Sequence, residues 1–292
     1  MNIQKSYQQS EDSRGRLYIV PTPIGNLEDI TYRALKTLEQ VAIIAAEDTR
    51  QTRKLLTHFD IHTPLMSYHE HNKLNKETQL LDALAEGKDI AIVSDAGMPG
   101  ISDPGYEIVK AAIAKELNVI VLPGANAALC ALVGSGLDTS QFHFYGFLPR
   151  KKKERKEELE QLKKMTTTLL FYESPHRIKE MMKHIQEVFG ERPVALAREL
   201  TKKYEEFVRG STSEIVEWLQ GNEIRGEFCV IVEGNPEEQA ADDTGWWASF
   251  SIMDHVEQYM EQGLSSKDAI KQAAKDRNMP KREVYQAYHV EE

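Results

Sequence analysis

Short apolar runs alternate with stretches of helical periodicity along the first half of the chain. Residues 17–20, 41–45, 90–93 and 119–122 are apolar, mostly β-branched and bounded by turn residues, which predicts strands. The segments between them predict helices over about 28–39, 50–58, 75–86, 106–116 and 126–136. Such alternation predicts a mainly parallel sheet covered on both faces. A second unit follows, with predicted strands at 142–147, 167–172, 193–198, 205–209 and 227–232. Its predicted helices cover about 151–164, 175–189 and 212–220.

The fold class is therefore α/β, with two α/β domains at 16–140 and 141–235. A polar lead at 1–15 is expected to be disordered, and residues 235–245 have the acidic, small and polar composition of a linker. From 246 to 292 three short helical patterns form a small C-terminal module that resembles a helix-turn-helix. One carries Ile252, Val256, Tyr259 and Met260, the next Ala269, Ile270, Ala273 and Ala274, and the last Val284, Tyr285 and Tyr288. Such a module can contact nucleic acid, act as a helical cap or mediate a dimer.

The strand ends carry the chemistry. Residues 93–105 read V-S-D-A-G-M-P-G-I-S-D-P-G, which is far more turn chemistry than a simple connection needs. Loops of this kind at the carboxyl ends of strands bind small ligands in open α/β sheets. The plainer reading is a tight crossover in which Asp95 and Asp103 are a turn residue and a helix cap. Two more Pro/Gly loops follow strands, P-T-P-I-G-N-L at 21–27 and P-G-A-N-A at 123–127. Three together predict one crevice.

Polar clusters mark two further strand ends. Glu47, Asp48, Thr49 and Arg50 follow the second strand, placed either to polarise a substrate or to cap the next helix. In the second unit Glu173, Ser174, Pro175, His176 and Arg177 recur in the same position, and Ser174-Pro175 reads as a helix start. Residues 197–203, A-R-E-L-T-K-K, form a third cluster.

Composition narrows the class. The 292 residues carry a formal net charge of −10, which argues against a protein that coats nucleic acid globally. Against that background residues 150–164 hold eight Lys or Arg and four Glu, a local island suited to phosphates or a solvated helix face. Cys130 and Cys229 stand apart in apolar runs, so neither a disulfide framework nor a zinc site is expected, and a reducing cytoplasmic compartment follows. His69-Glu70-His71 is too closely spaced for a helical metal pair, and no metal site is expected. Neither a signal peptide nor a membrane span is expected: residues 1–16 are polar, and Pro and Gly break the uncharged stretch 118–137. Walker and dinucleotide fingerprints are absent from the sequence.

Five ordered motifs, P-T-P-I-G-N-L-E-D, A-E-D-T-R, S-D-A-G-M-P-G-I-S-D-P-G, Y-E-S-P-H-R and A-R-E-L-T-K, resemble the tetrapyrrole-methylase-like superfamily. Within it they are similar to the branch that methylates small-subunit ribosomal RNA. The resemblance covers about 16–234 and the tail. It implies a class III methyltransferase fold, S-adenosylmethionine in the cleft between two domains, a homodimer, and 2′-O-methylation of a cytidine ribose in 16S rRNA of the small ribosomal subunit. Met98 and Gly100 stand where the family pattern has Thr and Leu, and Ala125-Asn126 where it has Pro-Ser.

Carried onto this chain, the resemblance implies that Pro23, Ile24, Gly25, Asp95, Gly97, Met98, Ala125 and Asn126 line the cofactor. Glu47, Asp48, Arg50 and Glu173 are the catalytic candidates, with His176 nearby. Arg150, Lys151, Lys152, Lys153, Arg155 and Arg177 are the candidates for RNA contact. A methyltransferase of the same fold acting on a tetrapyrrole or protein side chain, and a non-catalytic RNA-binding factor, are the competing readings.

Overall fold

A computed structural model of the chain describes residues 3–4, 13–69, 73–235, 247, 250–277 and 279–289. They fall into two compact units, one of residues 1–163 with 167–233, the other of 164–166 with 234–292. Most of the expected lead and linker, and Glu70-His71 of the histidine cluster, lie outside the described residues.

The larger unit holds two five-stranded sheets. In the first, β1 (Arg16–Ile19), β2 (Ile43–Ala46), β3 (Leu65–Ser67), β4 (Ile90–Val93) and β5 (Asn118–Val121) run in the order β3-β2-β4-β1-β5, all parallel. Parallel neighbours need crossovers, which α1 (Tyr32–Gln40), α2 (Thr49–His58), α3 (Lys73–Ala85) and α4 (Tyr106–Ala114) supply. All four residues of β4 are buried. Ile90 and Ile92 pack with Leu17, Leu84 and Ile108 on one face, while Ala91 and Val93 pack with Leu38, Ile44 and Leu56 on the other. That two-faced burial is why the strand reads as a continuous apolar run.

Two local expectations are corrected. The helix expected from 28 starts at Tyr32, because Leu27–Asp29 forms a separate 3-10 turn and Thr31 caps α1 through the Ala34 N–H. Strand β3 was not anticipated: its three half-buried residues, after Pro64, give no period to detect.

After β5 comes α5 (Ala127–Ser135), whose buried face leaves the first sheet. Ala128, Ala131 and Leu132 pack on Leu170, Ala195, Ala197 and Ile231 of the second sheet. That sheet comprises β6 (Phe142–Phe147), β7 (Thr168–Glu173), β8 (Pro193–Arg198), β9 (Glu206–Ser211) and β10 (Phe228–Val232), in the order β6-β7-β10-β8-β9. Of its pairs β6–β7 is parallel and the rest antiparallel. Helices α6 (Lys152–Leu162), α7 (Ile178–Phe189) and α8 (Thr212–Gly221) complete it.

The smaller unit has α9 (Ile252–Glu261), α10 (Ser266–Asp276) and α11 (Lys281–His289). Val256, Ala269, Ile270, Ala273 and Val284 are its core, and Ser265 caps α10 through the Asp268 N–H.

Candidate active site

The carboxyl ends of β1 and β4 and the loop after β5 meet the ends of β7, β8 and β10 around one cleft of about 440 Å³. That volume suits a small-molecule cofactor. Of the residues expected at the cofactor, Ile24, Asp95, Gly97, Met98 and Asn126 line it. Pro23, Gly25 and Ala125 do not reach its surface. Pro23 is buried, and Gly25 marks a close approach of the loops after β1 and β8, where a Cβ would sit 2.3 Å from Lys202 Cγ and 3.2 Å from the Leu200 carbonyl.

Backbone pairing holds the loops. The N–H groups of Thr22 and Gly97 each donate to the other's carbonyl at 3.0 Å. The buried Thr22 hydroxyl donates to the Ser94 carbonyl, and the Ser94 hydroxyl to the Gly97 carbonyl. Gly97 has φ +78°, and a Cβ there would lie 3.3 Å from Ile24 Cγ2. A side chain at this position is therefore strained and also presses on the cleft lining. Asn126 caps α5 by accepting from the Leu129 N–H at 3.0 Å.

Three carboxylates gather on the first-sheet side. Asp95 accepts from the Asp48 N–H at 2.9 Å, joining the β4 loop to the start of α2. Burial, followed by the Asp95 charge, raises the Glu47 pKa above its ordinary value. Asp103 is pushed up to about 7 by burial and then by the charges of Glu47 and Asp95. The plainer alternative for Asp103, a helix cap, does not hold, since Gly105 stands at the start of α4 with no side-chain cap. Asp103 lines the cleft instead.

Asp48 took the plainer of its two roles. Its carboxylate accepts from the Arg50 backbone N–H at 2.8 Å and from the Arg50 guanidinium at 3.0 and 2.7 Å. Those hydrogen bonds hold its pKa at about 2, too acidic for a useful base near neutrality.

The second-sheet wall is apolar with paired charges. Phe147, Tyr172, Leu200, Phe228 and Cys229 line it. The Tyr172 ring packs edge-on to Phe144 and Phe147 at 5.0 and 5.6 Å, and its hydroxyl accepts from the Ala128 N–H at 3.1 Å. Burial raises the Tyr172 pKa and pushes the Cys229 thiol up to about 12, so neither ionises near neutrality. Glu173 is buried, with Oε1 accepting from the Ser174 N–H at 2.7 Å and Oε2 3.2 Å from the Arg177 guanidinium. Lys202 bridges Glu199 at 2.9 Å and Glu227 at 3.0 Å on the rim.

One expected RNA contact is corrected by burial, and a second is engaged by the backbone. Arg155 is 1% exposed, with Nε donating to His184 Nδ1 at 3.0 Å and its guanidinium 2.8 Å from Glu180. The half-buried Arg177 donates to the Leu148 carbonyl at 2.7 Å and braces the end of β6. Arg150, Lys151, Lys152 and Lys153 are exposed, and so is His176 away from the cleft lining. Aromatic lining residues such as Phe147 and Tyr172 were not singled out, because a lone aromatic in a strand reads as core.

Comparison with known proteins decides the family. Residues 16–216 match the family described as Tetrapyrrole (Corrin/Porphyrin) Methylases. Ribosomal RNA small subunit methyltransferase I of Halalkalibacterium halodurans is 56% identical over 100% of both chains, and that of Bacillus subtilis 55% identical over 99% of both. The chain belongs to the tetrapyrrole methylase family, in this branch. It is a methyltransferase. Its fold is also that of a cobalt precorrin-4 methyltransferase, with TM-score 0.57 and 19% identity over 75% of this chain and 94% of that one. A uroporphyrin-III C-methyltransferase from Thermus thermophilus, complexed with S-adenyl homocysteine, matches with TM-score 0.54 and 18% identity over 76% of this chain and 99% of that one. Among the described residues no helix is long and apolar enough to cross a membrane.

Proposed function

We propose that this chain uses S-adenosylmethionine to methylate the 2′-hydroxyl of a cytidine in the 16S rRNA of the small ribosomal subunit, as a cytoplasmic homodimer. The observation that carries the reading is the full-length match, at more than half identity, to ribosomal RNA small subunit methyltransferase I. The cleft fits the cofactor chemically. Apolar and aromatic side chains on one wall suit a nucleobase, and the carboxylates opposite suit a cationic sulfonium. The exposed Leu129 and Val133 of α5, with Val121 and Phe142, offer apolar surface to a second copy.

S-adenosylmethionine, when bound, supplies a methyl group already activated by the sulfonium charge. The chain's task is then to position the ribose, exclude water and accept a proton. Asp103 is the base in this reading, because a carboxyl titrating near 7 is part-ionised at working pH and still basic enough to draw a hydroxyl proton. Burial, and then repulsion from Glu47 and Asp95, keep it so. Asp48 and Arg50 hold the start of α2, and Glu173 with Arg177 holds the opposite wall.

The test is transfer of labelled methyl from S-adenosylmethionine to small subunits lacking the modification, with free 16S rRNA and a tetrapyrrole as parallel acceptors. Label recovered in a 2′-O-methylcytidine after nuclease digestion is the expected result. Label in a base, a protein or the tetrapyrrole would overturn the reading.

A further inference from the structure

Helices α2 and α6 are both basic in sequence, but their charges are handled in opposite ways. Within α6 and at its cap, the exposed Lys151 pairs with Glu154 at 2.7 Å and Lys153 with Glu157 at 3.8 Å. Lys156 pairs with Glu187, and Arg155 is buried against Glu180. Much of its apparent charge is cancelled by its own turn or by α7. Helix α2, T-R-Q-T-R-K-L-L-T-H, contains three cationic residues and no acidic one, in a chain whose net charge is −10.

The cationic residues of α2 share one face. Thr52 and Leu56 are buried against the sheet, so Arg50, Arg53, Lys54, Thr57 and His58 fall on the outer side. With Thr49 they line a shallow groove of about 610 Å³. The Arg50 side chain is 87% exposed and anchored by Asp48, while Lys54 touches the neutral Gln51. Neither Arg53 nor Lys54 has a carboxylate partner among the described residues. The ten-residue helix is about 15 Å long. Its N-cap is Asp48, whose backbone N–H donates to the cleft residue Asp95.

We propose that the outer face of α2, through Arg53, Lys54 and His58 with Arg50 at its head, binds backbone phosphates of the RNA beside the ribose that enters the cleft. The inference rests on the RNA substrate proposed above and adds where the strand lies. Unpaired guanidinium and ammonium groups on an acidic protein attract phosphate without reading sequence. The helix leads from the cleft wall outward, so a strand held along it delivers a neighbouring nucleotide to the carboxylates. Helix α6 contributes less, because Lys151, Lys153 and Lys156 must first leave carboxylate partners and Arg155 is buried.

Filter binding of the full chain to a 16S rRNA fragment across a potassium chloride series tests this, with S-adenosylmethionine affinity measured in parallel by calorimetry. Arg53→Gln/Lys54→Gln should weaken RNA binding at least tenfold at low salt. It should also shrink the slope of log K against log salt by about 1.4. Lys151→Gln/Lys153→Gln, which removes two carboxylate-paired cations, should change that slope by less than half as much, and cofactor affinity should hold in both. An α2 variant with an unchanged slope would overturn the proposal, as would a larger effect in the α6 variant. Weaker binding at constant slope would overturn it too, because lost phosphate contacts must reduce counterion release. Loss of cofactor affinity in the double variant would signal misfolding, in which case Arg53→Gln alone must reduce the slope by about 0.7 or the proposal fails. A parent chain with no salt-dependent RNA binding would instead remove the RNA reading, leaving cofactor binding intact.

Discussion

The two walls of the cleft treat charge differently. On the second-sheet wall each acidic side chain has a partner: Glu173 has Arg177 and the Ser174 N–H, and Glu199 and Glu227 share Lys202. On the first-sheet side Asp95 and Asp103 line the cleft near Glu47, the three form no ion pair among the described residues, and burial followed by their mutual repulsion raises Asp103 to about 7. Paired charges give a wall its shape. Uncompensated carboxylates cost folding energy and persist where a cationic ligand or a proton transfer uses them.

The largest effect tests the structural wall. Glu173→Ala leaves the Ser174 N–H without its acceptor and strips the Arg177 guanidinium of its carboxylate. It should cost about 3 kcal/mol in denaturant unfolding, while the methyl-transfer rate of the remaining folded protein falls little. A variant as stable as the parent but inactive would give Glu173 the role assigned here to Asp103.

On the opposite wall the expected signature is reversed. Asp103→Asn should lower methyl transfer about 100-fold with cofactor affinity changed only a few-fold, as for loss of a general base. Its stability effect follows from linkage. Asp103 titrates near 7 when folded against an ordinary 3.8, so the folded chain holds the extra proton between those values. The group's contribution to stability is therefore greatest at low pH and declines as pH rises towards 7. The variant should melt a few degrees above the parent at pH 8 and lose that advantage near pH 5. Parallel melting curves for the two proteins across that range would place Asp103 in solvent.

Much of this contrast was legible in sequence, and the remainder has physical reasons. The three Pro/Gly loops and the strands before them announced the crevice, since such turn chemistry follows strands for local reasons. Asp103 was named only as a cap, because an Asp before Pro-Gly is a common helix start. What separates the readings is its approach to Glu47 and Asp95, which only folding creates. Arg155 failed in the opposite sense. In sequence it is one of eight basic residues in a run, and its burial depends on His184 and Glu180 of a later helix. The unpaired face of α2 was hidden because three cations in ten residues look ordinary until the partners of the richer run are known.

The claim that the carboxylate wall answers a cationic cofactor is tested most directly by calorimetric affinity at pH 6 and pH 8, for S-adenosylmethionine and for its neutral-sulfur product S-adenosylhomocysteine. A sulfonium near Asp103 favours the ionised carboxyl, so binding should strengthen as pH rises through about 7. We predict that S-adenosylmethionine binds several-fold more tightly at pH 8 than at pH 6, that S-adenosylhomocysteine changes little, and that Asp103→Asn shrinks the difference. Equal pH dependence for the two ligands in the parent chain would contradict the account.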